Sequence, residues 1–418
     1  MVIRAGMLKL GGGVLGKLLG ADPGYRGPRV DCGAGHQAEF VSYRDKVIGT
    51  VLGPVTLSRA WYHCADCKRG LAPRDAEPGV AGASLSPGLA AMNDQAAAAA
   101  PFAKAAGLLD GLAGVRLTVK RVERAAEASG AAQAAAVRDR ARLIAGRKLV
   151  PLPPSPVPDM LYGAIDGTGV TMTAKETAGR QGKGEDGRAR TREVKLGVFF
   201  TQDEVDDGGY PVRDQGPASY IATFEPAAVS GDLVKAEGIR RGADHVRQLT
   251  ILGDGAAWIW AIATGKFPAA TQIVDLFHAR EHLHDLARLL EFMLGDRKDE
   301  WLAARMEDLD YGDIDGICQA ARLFPLEGIK KDQLGTALGY FENNAPRMRY
   351  KWFRSRGLFV GSGLVESGCK AVIGQRLKLS GMRWTITGAD AITTLRCQQA
   401  SRPDDRIWQQ RHYQTGTA

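Results

Sequence analysis

Two apolar runs in the sequence end in carboxylates. In LYGAIDGTGV, residues 161–170, Leu161, Tyr162, Ala164 and Ile165 read as a buried strand that runs into Asp166-Gly167. In LTILGDGAAWIW, residues 249–260, a similar run meets Gly253-Asp254-Gly255. Asp-Gly is a common hairpin dipeptide, so each could simply close a turn. A third acid argues otherwise. Between Arg347 and Trp384 stand nine Lys/Arg and a single acid, Glu366. Pairing of Glu366 with Lys370 at i,i+4 of a helix contributes only about 0.3 kcal/mol, and it gives no reason why every other acid is missing there. A phosphate-binding face repels its ligand wherever it carries a carboxylate, unless that carboxylate holds a cation. Three carboxylates at one point repel one another in the same way. Mg2+ (or Mn2+) relieves that repulsion, because it takes oxygen ligands, keeps waters and completes its shell with substrate phosphate. Two such ions activate a water or a sugar hydroxyl and stabilise the leaving oxygen. Asp166, Asp254 and Glu366 are therefore read as catalytic metal ligands rather than turn residues.

A second set of residues suits a different metal. CGAGH (Cys32 to His36) and CADC (Cys64 to Cys67) bracket a strand-rich stretch. Two short knuckles at the ends of a hairpin can bring four ligands together tetrahedrally, as structural Zn2+ requires. The expected ligands are Cys32, His36, Cys64 and Cys67, with His63 as the other choice for the fourth position. The plain alternative is two buried free thiols and a surface Cys32. Six cysteines in 418 residues do not make a disulfide framework. HAREH, residues 278–282, matches the inverted zincin pattern, in which His278 and His282 bind Zn2+ and Glu281 acts as base. Its ordinary reading is a polar helix face with a histidine packed under a sheet.

These residues need elements to hold them. Residues 1–85 are expected to form a zinc-ribbon-like β module, with AEFVSYRD and VIGTVLGPVTLSRAWYHC as its strands. Residues 86–148 turn alanine-rich and helical, with a Gly-Val turn and Thr118 as an N-cap. Ten Lys/Arg face four Asp/Glu between residues 101 and 150, and Lys120, Arg121 and Arg124 fall along the second helix. That suits a helix-turn-helix-like DNA-binding module, or a helical hairpin with a solvated basic face. Five prolines in residues 148–160 mark a linker, placed at 149–158, and the main domain boundary. From 159 to 400, strand-like runs come first as a meander joined by short loops, then alternate with helices. The fold class is mixed α/β (α+β), a ribonuclease H-like catalytic domain with a helical insertion at about 285–345. In that layout the strands carrying Asp166 and Asp254 are neighbours. Residues 401–418 read as a polar tail.

A net charge of +8 favours a polyanionic partner. In the 347–384 stretch Tyr350, Trp352, Phe353 and Trp384 are interleaved with Lys351, Arg354, Arg356, Lys370, Arg376, Lys378 and Arg383, a pattern suited to phosphates and stacked bases. The loop GRQGKGEDGRARTR, residues 179–192, lacks the Gly-Lys-Ser/Thr ending of a phosphate-cradling loop. It reads as a hairpin that meets the DNA backbone through Lys183, Arg188 and Arg190. MLKLGGGVLGKLLGA near the start is interrupted by Lys9 and Lys17, and no apolar run reaches the roughly 18 residues of a membrane span. No membrane partner is expected, and the protein reads as cytoplasmic.

AIDGTGV, GRQGKGEDGRARTREVKLGVFFTQ, ILGDGAAWIW and GSGLVESGCKAVIGQRLKLSGMRWT resemble bacterial insertion-sequence transposases of the ISKra type, relatives of the Mutator-like group of Asp-Asp-Glu enzymes. The resemblance runs from about Gly24 to Arg396. It implies DNA strand cleavage and transfer at insertion-sequence ends, with Asp166, Asp254 and Glu366 as the acidic triad. It also implies double-stranded DNA partners (terminal inverted repeats and target), a homo-oligomer on DNA, and association with the bacterial nucleoid. DLFH matches the element that follows the second aspartate in that group, through Asp275 and His278. The start departs from the pattern, since relatives carry a longer N-terminal region and a more regular first knuckle, which leaves a shortened copy open. The alternative from another class is a non-catalytic DNA-binding remnant acting as a repressor.

Overall fold

The computed structural model describes residues 2–182, 186–214, 216, 218–361 and 363–401; nearly all of the expected tail therefore lies outside the described residues. It shows a mixed α+β protein that divides into two compact units, residues 2–132 and 133–401.

The first unit is built on a long hairpin. β2 (Gln37–Thr50) and β3 (Gly53–Cys64) pair antiparallel across a two-residue turn, and Gly53 takes a φ of +103° that a side chain would resist. β1 (Arg29–Asp31) and β4 (Arg69–Leu71) flank it in the order β1-β2-β3-β4. The register shifts between Phe40 and Ser42, so Phe40 and Tyr43 pair with Tyr62 and Ala60 on one face. Ala38, Ala60, Tyr62 and Cys64 form a fully buried core beside them. Ahead of the sheet lies a helix absent from the expected layout, α1 (Val2–Gly20). Its Leu19 packs on Ile48, Leu57 and Val80, and Gly12 comes close to the backbone of Leu52. Among the described residues no helix is long and apolar enough to cross a membrane.

α2 (Pro87–Ala99) begins at Ser86, whose hydroxyl accepts the Leu89 N–H at 3.4 Å, and α3 (Phe102–Leu108) follows. A π-helical turn then ends at Gly114 (φ +70°). Thr118 accepts the Arg121 N–H at 3.3 Å and so starts α4 (Val119–Ala145), as its position suggested. Residues 1–85 and 86–132 fall in one unit rather than two modules. Leu85 bridges to Gly49, and Leu85, Leu89 and Val115 share a core.

The division between the units falls within α4, not at the proline-rich stretch 149–158. The reason is packing. Ala141 and Ile144, late in α4, are buried against Leu233 and Ala236, and Arg138 pairs with Asp390 at 2.7 Å.

The second unit centres on β5 (Met160–Thr171), which pairs antiparallel with β6 (Thr191–Val205) along its whole length. Asp166-Gly167 therefore closes no turn: the strand continues through it. β7 (Pro211–Arg213) and β8 (Ser219–Thr223) both pair antiparallel with β6. β9 (Gln248–Gly253) adds parallel on the other side of β5, and β10 (Thr271–Val274) adds parallel to β9. α5 (Ala174–Thr177) follows β5, α6 (Ala227–Arg240) leads into β9, and α7 (Ala257–Lys266) joins β9 to β10. Next come α8 (Leu276–Leu289), α9 (Glu291–Leu294), α10 (Lys298–Tyr311), α11 (Ile314–Arg322) and α12 (Gly328–Asn344), which make the expected helical stretch. α13 (Tyr350–Ser355) and α14 (Gly363–Gly368) lead to a π-helical turn at Cys369–Gly374, then α15 (Gln375–Leu377) and α16 (Ile386–Ser401).

Candidate active site and metal centre

Register brings the two aspartates together. Ile165 of β5 pairs with Gly253 of β9, so the next residue of each strand, Asp166 and Asp254, projects at neighbouring positions. Val274, the last residue of β10, pairs with Gly253 in turn and puts Asp275 beside them. Carboxyl ends of parallel strands are where open α/β sheets place their ligand sites. The carboxylates interact: burial raises the Asp166 pKa, hydrogen bonds from Cys369 and Gly167 oppose it, and the charge of Asp254 adds to the rise. Asp166 Oδ1 accepts its neighbour Gly167 N–H at 2.6 Å, and its Oδ2 lies 3.2 Å from the Cys369 thiol, which donates to it. The Glu193 carboxylate lies over Gly167, where a Cβ would come within 2.5 Å of its Oε1 and the exposed glutamate would have to swing aside.

Asp254 is held at both its backbone and its carboxylate. Tyr340 donates its hydroxyl to the Asp254 carbonyl at 3.0 Å, and Ala256 N–H reaches Asp254 Oδ1 at 2.8 Å. Gly255 lies under the Tyr340 ring at φ +106°, where a Cβ would meet the ring at 2.5 Å. His282 stacks on the same tyrosine, 3.6 Å from the ring centroid. Asp275 caps α8 by accepting the His278 N–H at 2.9 Å. The His278 Nδ1 is 3.5 Å from the same carboxylate oxygen, an ion-pair distance rather than a good hydrogen bond. Asp275 is the main reason the His278 pKa rises to about 9, with Glu281 and Asp254 adding to it. These carboxylates favour the protonated imidazole, whose charge in turn favours ionised Asp166. The two histidines of HAREH turn to different partners, Asp275 and Tyr340.

Glu366 stands on α14, which packs on the sheet through Gly368 against Tyr220, Leu196 and Val198. Its carboxylate pairs with Lys370 at 3.5 Å, the helical pair considered from spacing alone. Among the described residues Asp166, Asp254 and Glu366 do not close into a group tight enough to hold a metal ion. The group that does is in the other unit: the ligand atoms of Cys32, His36, Cys64 and Cys67 all lie within 4.8 Å of one another. The Cys32 and Cys67 sulfurs are 3.6 Å apart, and His36 Nδ1 is 3.2 Å from Cys67 Sγ. A tetrahedron with Zn–S bonds of about 2.3 Å has edges of about 3.8 Å, so the donor set fits that ion. Partial burial would raise the Cys32 thiol, but Ala34 and His36 N–H groups and the neighbouring thiols bring it down to about 7. Cys32 and Cys64 push Cys67 up to about 11. Gly33 (φ +78°) and Gly35 (φ +81°) fold the first knuckle tightly enough to return His36 to the cysteines, and His63 stays exposed on β3.

The expected DNA-binding residues divide. Lys120, Arg121 and Arg124 are exposed at the start of α4, although Lys120 pairs with Glu123 at 2.9 Å and Arg121 donates to the Ser84 carbonyl. Lys351, Arg356, Lys370, Lys378 and Arg383 are exposed, as are Arg188 and Arg190; Lys378 donates to Thr168, two residues beyond Asp166. Arg354 is half-buried and shares Asp310 with Arg280. Lys183 lies outside the described residues. Arg376 must be withdrawn: it is fully buried, its guanidinium stacks 5.1 Å from the Trp384 ring, and burial lowers its pKa to about 10. The same holds for three of the aromatics. Tyr350, Phe353 and Trp384 are core residues, leaving Trp352 exposed between Arg349 and Arg356. Sequence reasoning missed Tyr340 and Cys369 as partners of the aspartates. Tyr340 sits in ordinary helical sequence, and no local pattern points from it to Asp254. Compared with models of known protein families and with curated proteins, the chain matches none.

Proposed function

We propose that this chain is a DNA transposase of the Asp-Asp-Glu type, which cleaves and transfers DNA strands at the ends of an insertion sequence. The observation that carries the reading is the side-by-side placement of Asp166 and Asp254 at the ends of adjacent parallel strand pairings, with Lys378 donating to Thr168 two positions further along β5. A three-stranded antiparallel meander continued by two parallel strands, in the order β10-β9-β5-β6-β8, supports a ribonuclease H-like domain. Two carboxylates on neighbouring strands, one of them largely withdrawn from water, form an all-oxygen donor set suited to Mg2+ or Mn2+. Asp166 and Asp254 would hold the ion, and Glu366 would join them from α14. A bound ion supplies activation of the attacking hydroxyl and stabilisation of the leaving oxygen. The protein's own groups do the rest: Tyr340 and Gly255 hold Asp254 in place, Cys369 orients Asp166, and Lys378 meets phosphate. The cysteine–histidine group would hold structural Zn2+.

The test is strand cleavage of insertion-sequence end DNA by Asp166→Asn, Asp254→Asn and Glu366→Gln. Each keeps side-chain size and removes a charge, so cleavage falls by orders of magnitude while DNA binding persists. Cleavage that survives in Asp166→Asn overturns the reading. The Glu366–Lys370 pair favours a second reading, DNA binding without cleavage. Salt-dependent DNA binding with no Mg2+-dependent cleavage by the parent protein would establish it.

A further inference from the structure

Beyond Asp166, β5 runs on to Thr171 and ends at a cleft. This cavity, about 610 Å3, is lined by Thr171 and Met172, by Thr177 of α5, and by Arg180, Arg188, Arg190 and Arg383, with Asp186 as the single acid among the described residues. Arg190 pairs with Asp186 at 3.2 Å. Among the described residues Arg180, Arg188 and Arg383 have no carboxylate partner, and all three are exposed. Among the described residues the lining therefore carries four guanidinium groups against one carboxylate.

The cations stand on a built backbone. Arg180 O accepts the Ala189 N–H at 3.1 Å, Gln181 bridges to Arg188, and Gly182 N–H donates to Gly187 O at 2.9 Å. The hairpin is so narrow that a Cβ on Gly182 would come within 2.5 Å of Arg188 O. Arg190 O accepts the Met172 N–H at 3.0 Å, which ties the hairpin to the end of β5. Arg383 joins the lining from the segment between α15 and α16. Its neighbour Trp384 is bonded to the same strand end twice, through Thr173 N–H to Trp384 O at 2.8 Å and Trp384 N–H to Thr171 O at 3.2 Å. A fixed backbone sets where these arginines start, and guanidinium groups match phosphate oxygens in geometry.

We propose that this cleft binds the phosphates of DNA flanking the position held by Asp166 and Asp254. The proposal rests on the transposase reading and names where its substrate's backbone runs. Five residues of strand separate Asp166 from Thr171, about 17 Å at roughly 3.3 Å per residue. With about 3.4 Å of axis per nucleotide in each strand, that is about five nucleotides of B-form DNA. Lys378, on Thr168, lies between the two positions.

The test measures binding of a labelled duplex oligonucleotide over a salt series without divalent metal, so that cleavage plays no part. Arg188→Ala/Arg383→Ala should lower affinity at least tenfold and flatten the log–log salt slope by about 1.8, at roughly 0.9 for each phosphate that is no longer neutralised. Lys330→Ala/Lys331→Ala, which removes two exposed cations from α12, should leave the slope unchanged. Gly182→Val keeps every charge but spreads the hairpin, and it should also weaken binding, with an unchanged melting temperature as the check on folding. An unchanged slope in the arginine pair, or one no flatter than in the lysine pair, overturns the proposal. So does a folded Gly182→Val protein that binds like the parent. If the slope flattens as expected but the parent never cleaves, the cleft stands and the catalytic reading falls. If Asp166→Asn abolishes cleavage but the slope is insensitive, the cleft alone falls.

Discussion

Cys67 shows how much one side chain can be asked to do. It has the Cys32 sulfur 3.6 Å away and the His36 Nδ1 3.2 Å away, and its N–H donates to Cys64 Sγ at 3.4 Å. Thiols so arranged repel once ionised, which is why Cys67 is pushed up while Cys32 comes down. A cation removes that conflict. The purified protein should contain about one zinc per chain, and Cys67→Ala or a strong chelator should remove it. The unfolding transition of residues 2–132 should then move to lower temperature, because Cys64 and Cys67 are part of that unit's core. Metal analysis that finds no zinc in freshly reduced protein would dismiss the site without touching the aspartates.

Among the elements, α14 depends most on a single small residue. Gly368 lets the helix approach within van der Waals contact of Tyr220, Leu196 and Val198, and a Cβ there would already be 3.0–3.4 Å from all three. The π-helical turn that follows starts at Cys369, which is how that thiol meets Asp166 while Val372 and Ile373 stay buried. Such turns are frequent at functional sites, and here it re-aims one residue without breaking the helix. Gly368→Val overpacks the contact, at a cost of about 1–3 kcal/mol. It should shift α14 off the sheet and lower cleavage more than it lowers DNA binding. Equal losses in the two assays would mean that α14 does not position catalytic groups.

At the scale of the whole molecule, the units meet inside α4 in sequence, and this decides what can be expressed alone. A fragment of residues 149–401 follows the proline-rich stretch but lacks Arg138, Ala141 and Ile144. Leu233 and Ala236 then lose their cover, at about 2 kcal/mol for a buried aliphatic side chain. Asp390, whose side chain is 13% exposed, loses its arginine, at about 3 kcal/mol for a half-broken buried pair. The fragment 133–401 keeps all of these. Its melting temperature should exceed that of 149–401 by about 10–20 °C, at roughly 2–4 °C per kcal/mol for a domain of this size. Equal melting temperatures would return the boundary to the prolines.

Several features were legible before any fold was known because they depend on neighbours in the chain. Apolar runs that meet Asp166 and Asp254 mark two strands of one sheet. Cysteines at both ends of a hairpin must meet, Thr118 caps the helix that follows it, and the stretch 285–345 carries only helical patterning. The rest was decided by packing between distant segments. Spacing placed Arg376 among basic residues but could not say which side of the chain would face inward, and its planar guanidinium found the Trp384 ring in the core. Tyr350 and Phe353 went inward for the same reason: an aromatic beside an arginine suits a buried face as well as a base. The choice of His36 over His63 depended on the turn that Gly33 and Gly35 permit. The pairing of Ile165 with Gly253 joins segments 88 residues apart, and only the sheet register sets those two aspartates side by side.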